Sequence, residues 1–331
     1  MIDHASWIRI GLLVTLGAML WATAWYSPEG IFDMSATTDS ATHTARTPPG
    51  FDLQGHRGAR GMRPENTWPA FAYALALGIP TLEMDVVVSA DGEVVVSHEP
   101  WMSPAICTAP DGRPLSENEA QEHNLYQMAY SEIAAYDCGS RAHPSFPDQM
   151  PTAAPKPLLP DVLERAEAFV RRTGRDPVFY NIETKSRPEW ETVFHPPPDV
   201  FAQHLIDVVQ QAGVSSRTTI QSFDPRTLRY TREAAPGLRL ALLVSQQADS
   251  GVSHNVNDLG FVPHIYSPSY KLVTPSMIKQ AQSTGMQVIP WTVNSRGDMR
   301  RIIEMGADGF ITDYPERGQD VLAETETSTD E

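Results

Sequence analysis

The feature that most limits the fold of this chain is a regular alternation of short β-rich runs with amphipathic helical patterns, from residue 50 to about residue 318. Eight β-then-α units in about 270 residues match the size of a (β/α)8 TIM barrel. A doubly wound open sheet is the alternative, but no glycine-rich dinucleotide turn follows the first strand. The sequence therefore predicts an α/β TIM barrel over residues 51–318, with strands at 52–56, 81–88, 178–183, 218–221, 239–244, 264–267, 286–292 and 309–312.

Five of the stretches between these strands carry apolar residues at helical spacing. In residues 67–77, for example, Trp68, Phe71 and Leu75 fall on one face. Thr67 and Asp161 stand where helix N-caps are expected. We therefore expect helices at 67–77, 158–172, 200–212, 274–283 and 295–304.

The second unit contains a long insertion. A hairpin over residues 86–98 follows the second strand, and about 79 Pro-rich residues then pass before the third strand. This length predicts a small insertion subdomain, about residues 99–177, over one rim of the barrel. It contains both cysteines of the chain, Cys107 and Cys138. We expect a disulfide between them, closing a loop of about thirty residues and stabilising the insertion by about 3 kcal/mol; two buried free thiols are the alternative.

The amino-terminal segment predicts export from the cytoplasm. The 19 uncharged residues between Arg9 and Glu29 could form a signal-peptide core or span a bilayer. Arg9 on one flank and acidic residues on the other orient the amino end towards the cytoplasm. Residues 1–26 are interpreted as a signal peptide or a membrane anchor, with attachment through residues 8–26 in the second case. The protein is then periplasmic, or anchored and facing the periplasm, with a linker at 27–50 and an acidic tail at 319–331.

The charge of the chain limits its partners. A formal net charge of −16 at pH 7 argues against nucleic-acid binding, because phosphate backbones are bound by clustered Lys and Arg. A hydrophobic content of 41% excludes a disordered chain. Any phosphate-binding site in this acidic protein must therefore use local cations or a metal ion.

Carboxylates on two neighbouring predicted strands suggest a metal site. Glu83 and Asp85 alternate along the second strand and therefore share one face, while Glu183 ends the third strand. In barrel enzymes the active site lies at the carboxyl ends of the strands. Three converging carboxylates repel one another unless a cation intervenes. Oxygen ligands favour one divalent ion, Ca²⁺ or Mg²⁺, over zinc; a solvated strand edge is the alternative.

Two histidines and two basic residues also stand close to the ends of the predicted strands. His56 ends the first strand in a Gly-rich turn, and His98 ends the hairpin arm that starts from the carboxylate strand. Imidazoles at such positions suit general acid–base catalysis near neutral pH. Arg57 and Lys185 offer bonds to phosphate oxygens, the alternative being ion pairs with neighbouring carboxylates. A metal ion with these cations suits a phosphodiester better than a sugar or an amino acid.

The motifs that stand in order along the chain are Gly55-His56-Arg57-Gly58-Ala59, Arg63-Pro64-Glu65-Asn66-Thr67, Glu83-Met84-Asp85, Asp91-Gly92, His98 and Asn181-Ile182-Glu183-Thr184-Lys185. Together they resemble the glycerophosphodiester phosphodiesterase family over residues 52–315, most densely in 54–98. The resemblance implies a TIM-barrel enzyme that cleaves glycerophosphodiesters to glycerol 3-phosphate and an alcohol.

The resemblance also implies roles for the matching residues. The sequence departs from the family pattern at Glu99, where Asp is common, and at Thr184, where an aliphatic residue is usual. Neither departure removes a catalytic group. The resemblance implies that His56 and His98 carry out acid–base catalysis and that Glu83, Asp85 and Glu183 hold one divalent metal ion, Ca²⁺ or Mg²⁺. It implies phosphate binding by Arg57 and Lys185, and support of the metal and histidine region by Glu65. Trp291 would line the glycerol side of the pocket, the alternative being a packed residue at a strand end.

Two other functions remain as alternatives. A lipid-directed phosphodiesterase, similar to lysophospholipase D or sphingomyelinase D, would use the same barrel, and a membrane anchor would slightly favour it. A non-catalytic protein that captures phosphodiesters is disfavoured by the two histidines, since capture needs only the metal and the cations. The attacking oxygen is either that of water or the glycerol 2-hydroxyl, which would give a cyclic phosphate. No protein partner is inferred.

Overall fold

The computed structural model describes residue 46 and residues 48–329. The predicted signal peptide or anchor, residues 1–26, lies outside the described residues, as does most of the predicted linker. Among the helices described, none has both the length and the apolar character that a membrane crossing requires.

The wall of the fold is built from short strands that are buried on both faces. In the second strand all eight residues are buried, which is typical of a parallel strand covered by helices on its outer side. The strands are β1 (Asp52–Gly55), β2 (Thr81–Val88), β3 (Val94–Val96), β4 (Phe179–Thr184), β5 (Thr218–Ser222), β6 (Arg239–Val244), β7 (Ile265–Pro268), β8 (Gln287–Val288) and β9 (Gly309–Thr312).

Eight of these strands form a barrel. They run parallel in the order β1-β2-β4-β5-β6-β7-β8, and β9 pairs with β1, while β3 pairs with β2 as the antiparallel arm of a hairpin. The prediction of a (β/α)8 TIM barrel is confirmed. Three backbone hydrogen bonds of 2.9–3.0 Å close the ring between β8 and β9, from the N–H groups of Asp308, Ile311 and Val293 to the carbonyls of Val288, Pro290 and Ile311, respectively.

Helices cover the outside of the barrel with their apolar faces turned inwards. The helix that follows the insertion, for example, buries Leu159, Leu163, Ala166 and Val170 along one side. The five expected helices are all present, and the described residues form four further helices. The helices are α1 (Trp68–Leu77), α2 (Tyr130–Ile133), α3 (Leu159–Thr173), α4 (Pro198–Gln211), α5 (Pro225–Ala234), α6 (Val252–Leu259), α7 (Pro275–Ser283), α8 (Arg296–Glu304) and α9 (Pro315–Thr329).

Three details of the helix ends differ from the expectations. Thr67 is the N-cap residue of α1, but its hydroxyl donates to the carbonyl of Pro64 and makes no cap hydrogen bond to the helix. Asp161 is not an N-cap, because α3 begins two residues earlier and places Asp161 in its first turn. There its carboxylate still interacts favourably with the helix dipole. Helix α9 continues through residues 319–329 of the predicted acidic tail, and Val321 is buried.

The insertion after β3 has its own small apolar core. Helix α3, which the predicted boundary at residue 177 would include, instead contacts α1 and α4 in the helix layer of the barrel. The insertion therefore covers residues 97–157. Cys107 and Cys138 are joined by a disulfide bond with an S–S distance of 2.07 Å. The core around this bond contains Val87, Val95, Met102, Ile106, Leu115, Leu125 and Ile133.

Candidate active site

A cavity of about 190 Å³ opens at the carboxyl ends of the barrel strands. This end of a barrel is the one at which TIM-barrel enzymes carry their active sites. Of the residues predicted to form the site, Glu65 alone does not line this cavity. The eight that line it are His56, Arg57, Glu83, Asp85, His98, Glu183, Lys185 and Trp291.

Three carboxylates meet in this cavity. The parallel pairing of β2 with β4 places Asp85 opposite Glu183, and the alternation of β2 brings Glu83 to the same face. One oxygen from each carboxylate can be chosen so that all three lie within 4.8 Å of one another. All three residues are buried, with 1%, 1% and 7% exposure for Glu83, Asp85 and Glu183.

The electrostatics of this cluster fit a divalent cation. Burial and the neighbouring carboxylates raise the pKa of Glu83 well above its usual value. Burial raises the pKa of Glu183 to about 7, although Lys185 opposes this shift. Burial also acts to raise the pKa of Asp85, but Lys185 and Arg57 outweigh it and hold that pKa well below its usual range. Asp85 Oδ1 is buried and accepts no hydrogen bond from the described residues, so a hard oxygen ligand is available.

The orientation of Glu83 is fixed from two sides. The backbone N–H of Arg57 donates to Oε2 at 2.7 Å, and the side-chain amide of Gln221 donates to Oε1 at 2.8 Å. Arg57 adopts a φ of +50°, a left-handed conformation that costs energy for a residue with a Cβ. Asn181 connects Gln221 to Gln54 farther inside the barrel through hydrogen bonds of 3.1 and 2.7 Å. These amides extend the polar site into the barrel interior.

His56 is held by the carboxylate of Asp313, the residue directly after β9. Its Nδ1 lies 2.6 Å from Oδ1 of Asp313, and its Nε2 lies 4.0 Å from Glu83 Oε2. Burial acts to raise the pKa of Asp313, but His56 and Arg60 hold it well below its usual range. An ionised carboxylate only accepts hydrogen bonds, so Nδ1 carries the proton and Nε2 has its lone pair free. Burial lowers the pKa of His56 to about 4, which leaves the ring neutral at pH 7.

His98 has the same arrangement on the opposite flank. Its Nδ1 lies 2.7 Å from Oε1 of Glu99, the position at which the sequence departs from the family pattern. Burial and the charges of Lys185 and Arg57 lower the pKa of His98. The pKa of Glu99 lies below its usual value because the hydrogen bond from His98 and nearby cations outweigh burial. Two imidazoles with carboxylate-bound Nδ1 atoms therefore border the cavity.

The two predicted phosphate-binding cations are paired with carboxylates. Lys185 Nζ lies 2.8 Å from Glu183 Oε1 and 3.5 Å from Asp85 Oδ1. Arg57 donates from Nη1 to Glu65 Oε1 at 2.7 Å, and its Nε lies 3.2 Å from Asp85 Oδ2. Glu65 therefore supports an arginine of the site, and its ion pairs are with Arg57 and Arg60. The ion pairs do not remove the cations from the cavity, since Arg57 and Lys185 both line it.

One side of the cavity is apolar. The indole N–H of Trp291 donates to the carbonyl of Ser267 at 2.9 Å, which fixes the ring. Phe223 meets this ring edge-to-face at a centroid distance of 5.4 Å. Leu243 and Ile311 line the same cavity, so a carbon backbone can lie on this side while the charged groups face it from the other.

Several residues of the site received no role from the sequence. The position of Asp313 and Gln221 at strand ends was a usable signal, because polar residues there reach the barrel mouth. Glu99 directly follows a candidate catalytic histidine. Arg60 and Phe223 carry no such signal, since their neighbours in space come from distant parts of the chain.

Comparisons with known proteins assign this fold and site to a family. The model of the glycerophosphoryl diester phosphodiesterase family matches residues 56–317. A glycerophosphodiester phosphodiesterase of Caldanaerobacter subterraneus subsp. tengcongensis is 28% identical over 261 residues, which cover 79% of this chain and 93% of the relative.

Solved structures agree with this assignment. A protein of Silicibacter pomeroyi DSS-3 that carries the family's name is 29% identical, with a TM-score of 0.75 over 86% of this chain and 97% of its own. A phosphodiesterase of Oleispira antarctica, solved with the product sn-glycerol-3-phosphate, has the same fold at 19% identity, with a TM-score of 0.64 over 83% of this chain and 97% of its own. The chain described here belongs to the glycerophosphoryl diester phosphodiesterase family.

Proposed function

We propose that this protein hydrolyses glycerophosphodiesters to glycerol 3-phosphate and an alcohol, with one divalent metal ion and two histidines. The observation that carries the proposal is the cluster of Glu83, Asp85 and Glu183 with His56 and His98 lining the same cavity. The family match supports the reaction class. The substrate named for the relative of Caldanaerobacter supports the choice of a glycerophosphodiester.

The residues of the cluster define how a metal ion would be held. Glu83, Asp85 and Glu183 would bind Ca²⁺ or Mg²⁺ through carboxylate oxygens. When bound, the ion supplies positive charge that polarises a phosphoryl oxygen. The fit rests on two observations of this structure, the close approach of three buried carboxylates and an Asp85 oxygen, Oδ1, that accepts no hydrogen bond from the described residues.

Arg57 and Lys185 orient the phosphodiester by binding its non-bridging oxygens. Both are buried cations with carboxylates on one side, and they face the cavity on the other. Their charges would stabilise the negative charge that the non-bridging phosphoryl oxygens carry during the reaction. Trp291 and Phe223 provide the apolar wall against which the glycerol carbons pack.

The histidines transfer the protons. One imidazole accepts a proton at Nε2 from the attacking oxygen. The other enters the step as an imidazolium, protonated at both nitrogens, and donates its Nε2 proton to the departing alcohol. Asp313 and Glu99 fix the two rings through Nδ1, so the Nε2 atoms are the ones available for transfer. The attacking oxygen is that of water or of the glycerol 2-hydroxyl.

The direct test is hydrolysis of glycerophosphocholine by the purified chain. We expect release of glycerol 3-phosphate with Mg²⁺ or Ca²⁺, none after treatment with a chelator, and recovery when the ion is restored. Lysophosphatidylcholine in a parallel reaction distinguishes the lipid-directed alternative, which predicts faster turnover of the lipid. Phosphorus NMR of early products distinguishes a cyclic phosphate from direct attack by water.

Two results would contradict the proposal. Binding of glycerophosphocholine without release of product, with either ion, would show a capture protein. Turnover that is unchanged by a chelator and by the Asp85→Asn substitution would remove the metal from the reaction. Arg113→Gln is a matched control, because Arg113 pairs with Glu119 on the surface of the insertion.

Export is part of the proposal. The sequence predicts an amino-terminal signal or anchor, and disulfide bonds such as Cys107–Cys138 persist in oxidising compartments. Cell fractionation with an antibody against the barrel tests it. We expect the protein in the periplasmic or membrane fraction, and recovery in the cytoplasm with free thiols would contradict export.

A further inference from the structure

Side chains of alternating charge form a series of contacts from Arg57, on the phosphate-binding side of the cavity, to His56. Glu65 accepts a hydrogen bond from Arg57 at 2.7 Å and lies 3.6 Å from a guanidinium nitrogen of Arg60. Arg60 in turn contacts Asp313, and Asp313 holds His56. Arg60 therefore lies between the group that binds phosphate and the group that transfers a proton.

The guanidinium of Arg60 fixes the plane of the Asp313 carboxylate. Its Nε donates to Oδ1 at 3.1 Å and its Nη2 to Oδ2 at 3.3 Å, a two-point contact that a single ammonium cannot make. Asn294 donates to Oδ2 at 2.7 Å, and His56 occupies Oδ1 at 2.6 Å. Four hydrogen bonds therefore hold both oxygens of Asp313.

Arg60 also compensates the charge of Asp313. The Asp313 side chain is 1% exposed, and within the described residues its ion-pair partners are His56 and Arg60. A histidine that acts as a base is neutral, so Arg60 is the cation that balances this buried carboxylate. While Asp313 is ionised it accepts the Nδ1 proton of His56, and the Nε2 lone pair faces the cavity.

The insertion holds Arg60 in place. The guanidinium carbon lies 4.7 Å from the ring centroid of Phe146, and the side-chain amide of Gln149 donates to the Arg60 carbonyl at 2.7 Å. A cation–π contact contributes most where water is excluded, and the Arg60 side chain is 19% exposed. The insertion therefore contacts Arg60, and Arg60 contacts Asp313, the carboxylate that holds His56.

We propose that Arg60 is a positioning residue that sets the tautomer of His56 through Asp313, with Phe146 of the insertion holding Arg60 against that carboxylate. The proposal rests on the proposed function for its effect on turnover. Its effect on the histidine ring can be measured without any substrate.

The first experiment reads the tautomer directly. Long-range ¹H–¹⁵N spectra of the full chain labelled with ¹⁵N-histidine distinguish the Nδ1–H and Nε2–H forms, and the His56→Asn variant identifies the signals of that ring. We expect the Nδ1–H form in the wild type, and loss of this single form in Arg60→Met. Arg63→Met is the matched control, because Arg63 is in the same loop as Arg60 and does not line the cavity. Its guanidinium carbon lies 4.5 Å from the ring centroid of Tyr73.

The second experiment separates positioning from binding. Arg60→Met should lower kcat about 100-fold, a smaller loss than the roughly 10⁴-fold that follows replacement of an orienting carboxylate itself, because Asp313 is still present. KM should change less than about threefold because Arg57 and Lys185 still bind the phosphate. Arg60→Lys should lose about tenfold, because an ammonium cannot contact both oxygens. Free guanidinium ion should restore part of the activity of Arg60→Ala, which a misfolded variant would not show.

A third variant tests the insertion. Phe146→Leu should lower kcat about threefold, in line with the loss of a partly buried cation–π contact, and Phe146→Tyr should not. An unchanged His56 tautomer in Arg60→Met, or a kcat equal to that of Arg63→Met, would overturn the proposal. If Arg60→Met does not fold, the spectrum and kcat of Arg60→Lys decide instead. If the wild type hydrolyses no glycerophosphodiester, the proposed function fails, while the spectra still decide the role of Arg60.

Discussion

At the scale of single residues, the site keeps charged carboxylates in a buried place by giving each one specific donors. Asp313 accepts from His56, Arg60 and Asn294, and Glu99 accepts from His98. Because these acids stay ionised, they fix the Nδ1–H form of the two rings. Burial then lowers the pKa of both histidines, so the ring that acts as the base begins a cycle with a free Nε2 lone pair. The ring that acts as the acid must first take up a proton at Nε2.

Removing either ring tests this arrangement. We expect His56→Ala and His98→Ala each to lower kcat about 10²- to 10⁴-fold, the usual contribution of a general acid or base, while the affinity for the divalent ion changes little. Steady-state kinetics with glycerophosphocholine and calorimetric metal titrations measure the two effects. His254→Ala is the control, because His254 is exposed and pairs with Asp258 on helix α6. Turnover near the wild-type value in either active-site variant would remove that histidine from the mechanism.

The raised pKa of Glu183 gives the metal site a pH dependence. With a pKa of about 7 in the metal-free protein, this carboxyl is partly protonated at neutral pH and must lose its proton before it binds a cation. Affinity for Mg²⁺ or Ca²⁺ should therefore fall as pH falls from about 7.5 to 5.5. Titration calorimetry at pH 7 in buffers of different ionisation enthalpy should show proton release. Glu183→Gln should bind the ion more weakly and release fewer protons, and proton uptake on binding would contradict the assignment.

At the scale of elements, the pattern of apolar residues in the sequence predicted the positions of the strands better than it predicted the side-chain contacts between them. The alternation of apolar runs placed every barrel strand, because strands buried on both faces have a distinct composition. Helix ends were less certain, and α3 begins before Asp161 because Leu159 is already needed on its apolar face. The shared face of Glu83 and Asp85 was predictable from the two-residue repeat of β2, whereas the contact of Arg60 with Phe146 joins segments far apart in sequence.

The disulfide determines how firmly the insertion is held. Cys138 follows Asp137, whose carboxylate accepts hydrogen bonds from the backbone N–H groups of Gly139, Ser140 and Ala154. The bond closes a loop with a sequence separation of 31, for which the chain-entropy model gives about 3.7 kcal/mol. The double variant Cys107→Ser/Cys138→Ser should therefore melt at a lower temperature and should become more sensitive to protease within residues 97–157. Because Phe146 lies in the same insertion, the kcat of the double variant should also fall.

A protease experiment can contradict this account. Limited digestion of the oxidised wild type, the reduced wild type and the double variant is compared by mass spectrometry. Equal cleavage of all three within the insertion would mean that its apolar core is sufficient without the bond. Ser116→Ala is the control for a substitution in the same subdomain that leaves the disulfide intact, since Ser116 is exposed and its hydroxyl donates to Glu119.

At the scale of the whole molecule, a protein with a net charge of −16 concentrates an anion-binding function in one cavity. The negative field of the chain repels a phosphodiester, while Arg57, Lys185 and a divalent ion would attract it at the barrel mouth. Divalent cations have two distinct effects on such a molecule. They screen the charge of the whole surface, and under the proposed function they would also bind specifically to the cluster of Glu83, Asp85 and Glu183.

Thermal unfolding separates these effects. An ion present at 100 times its Kd stabilises the folded state by about 2.7 kcal/mol, so Tm should rise by several degrees with Mg²⁺ or Ca²⁺ beyond the rise seen in NaCl of equal ionic strength. Asp85→Asn keeps the size of the side chain and removes one ligand charge, so its Tm should respond to both salts equally. If the variant gained as much from the divalent ion as the wild type, the stabilisation would come from surface screening, and the carboxylate cluster would not be the metal site.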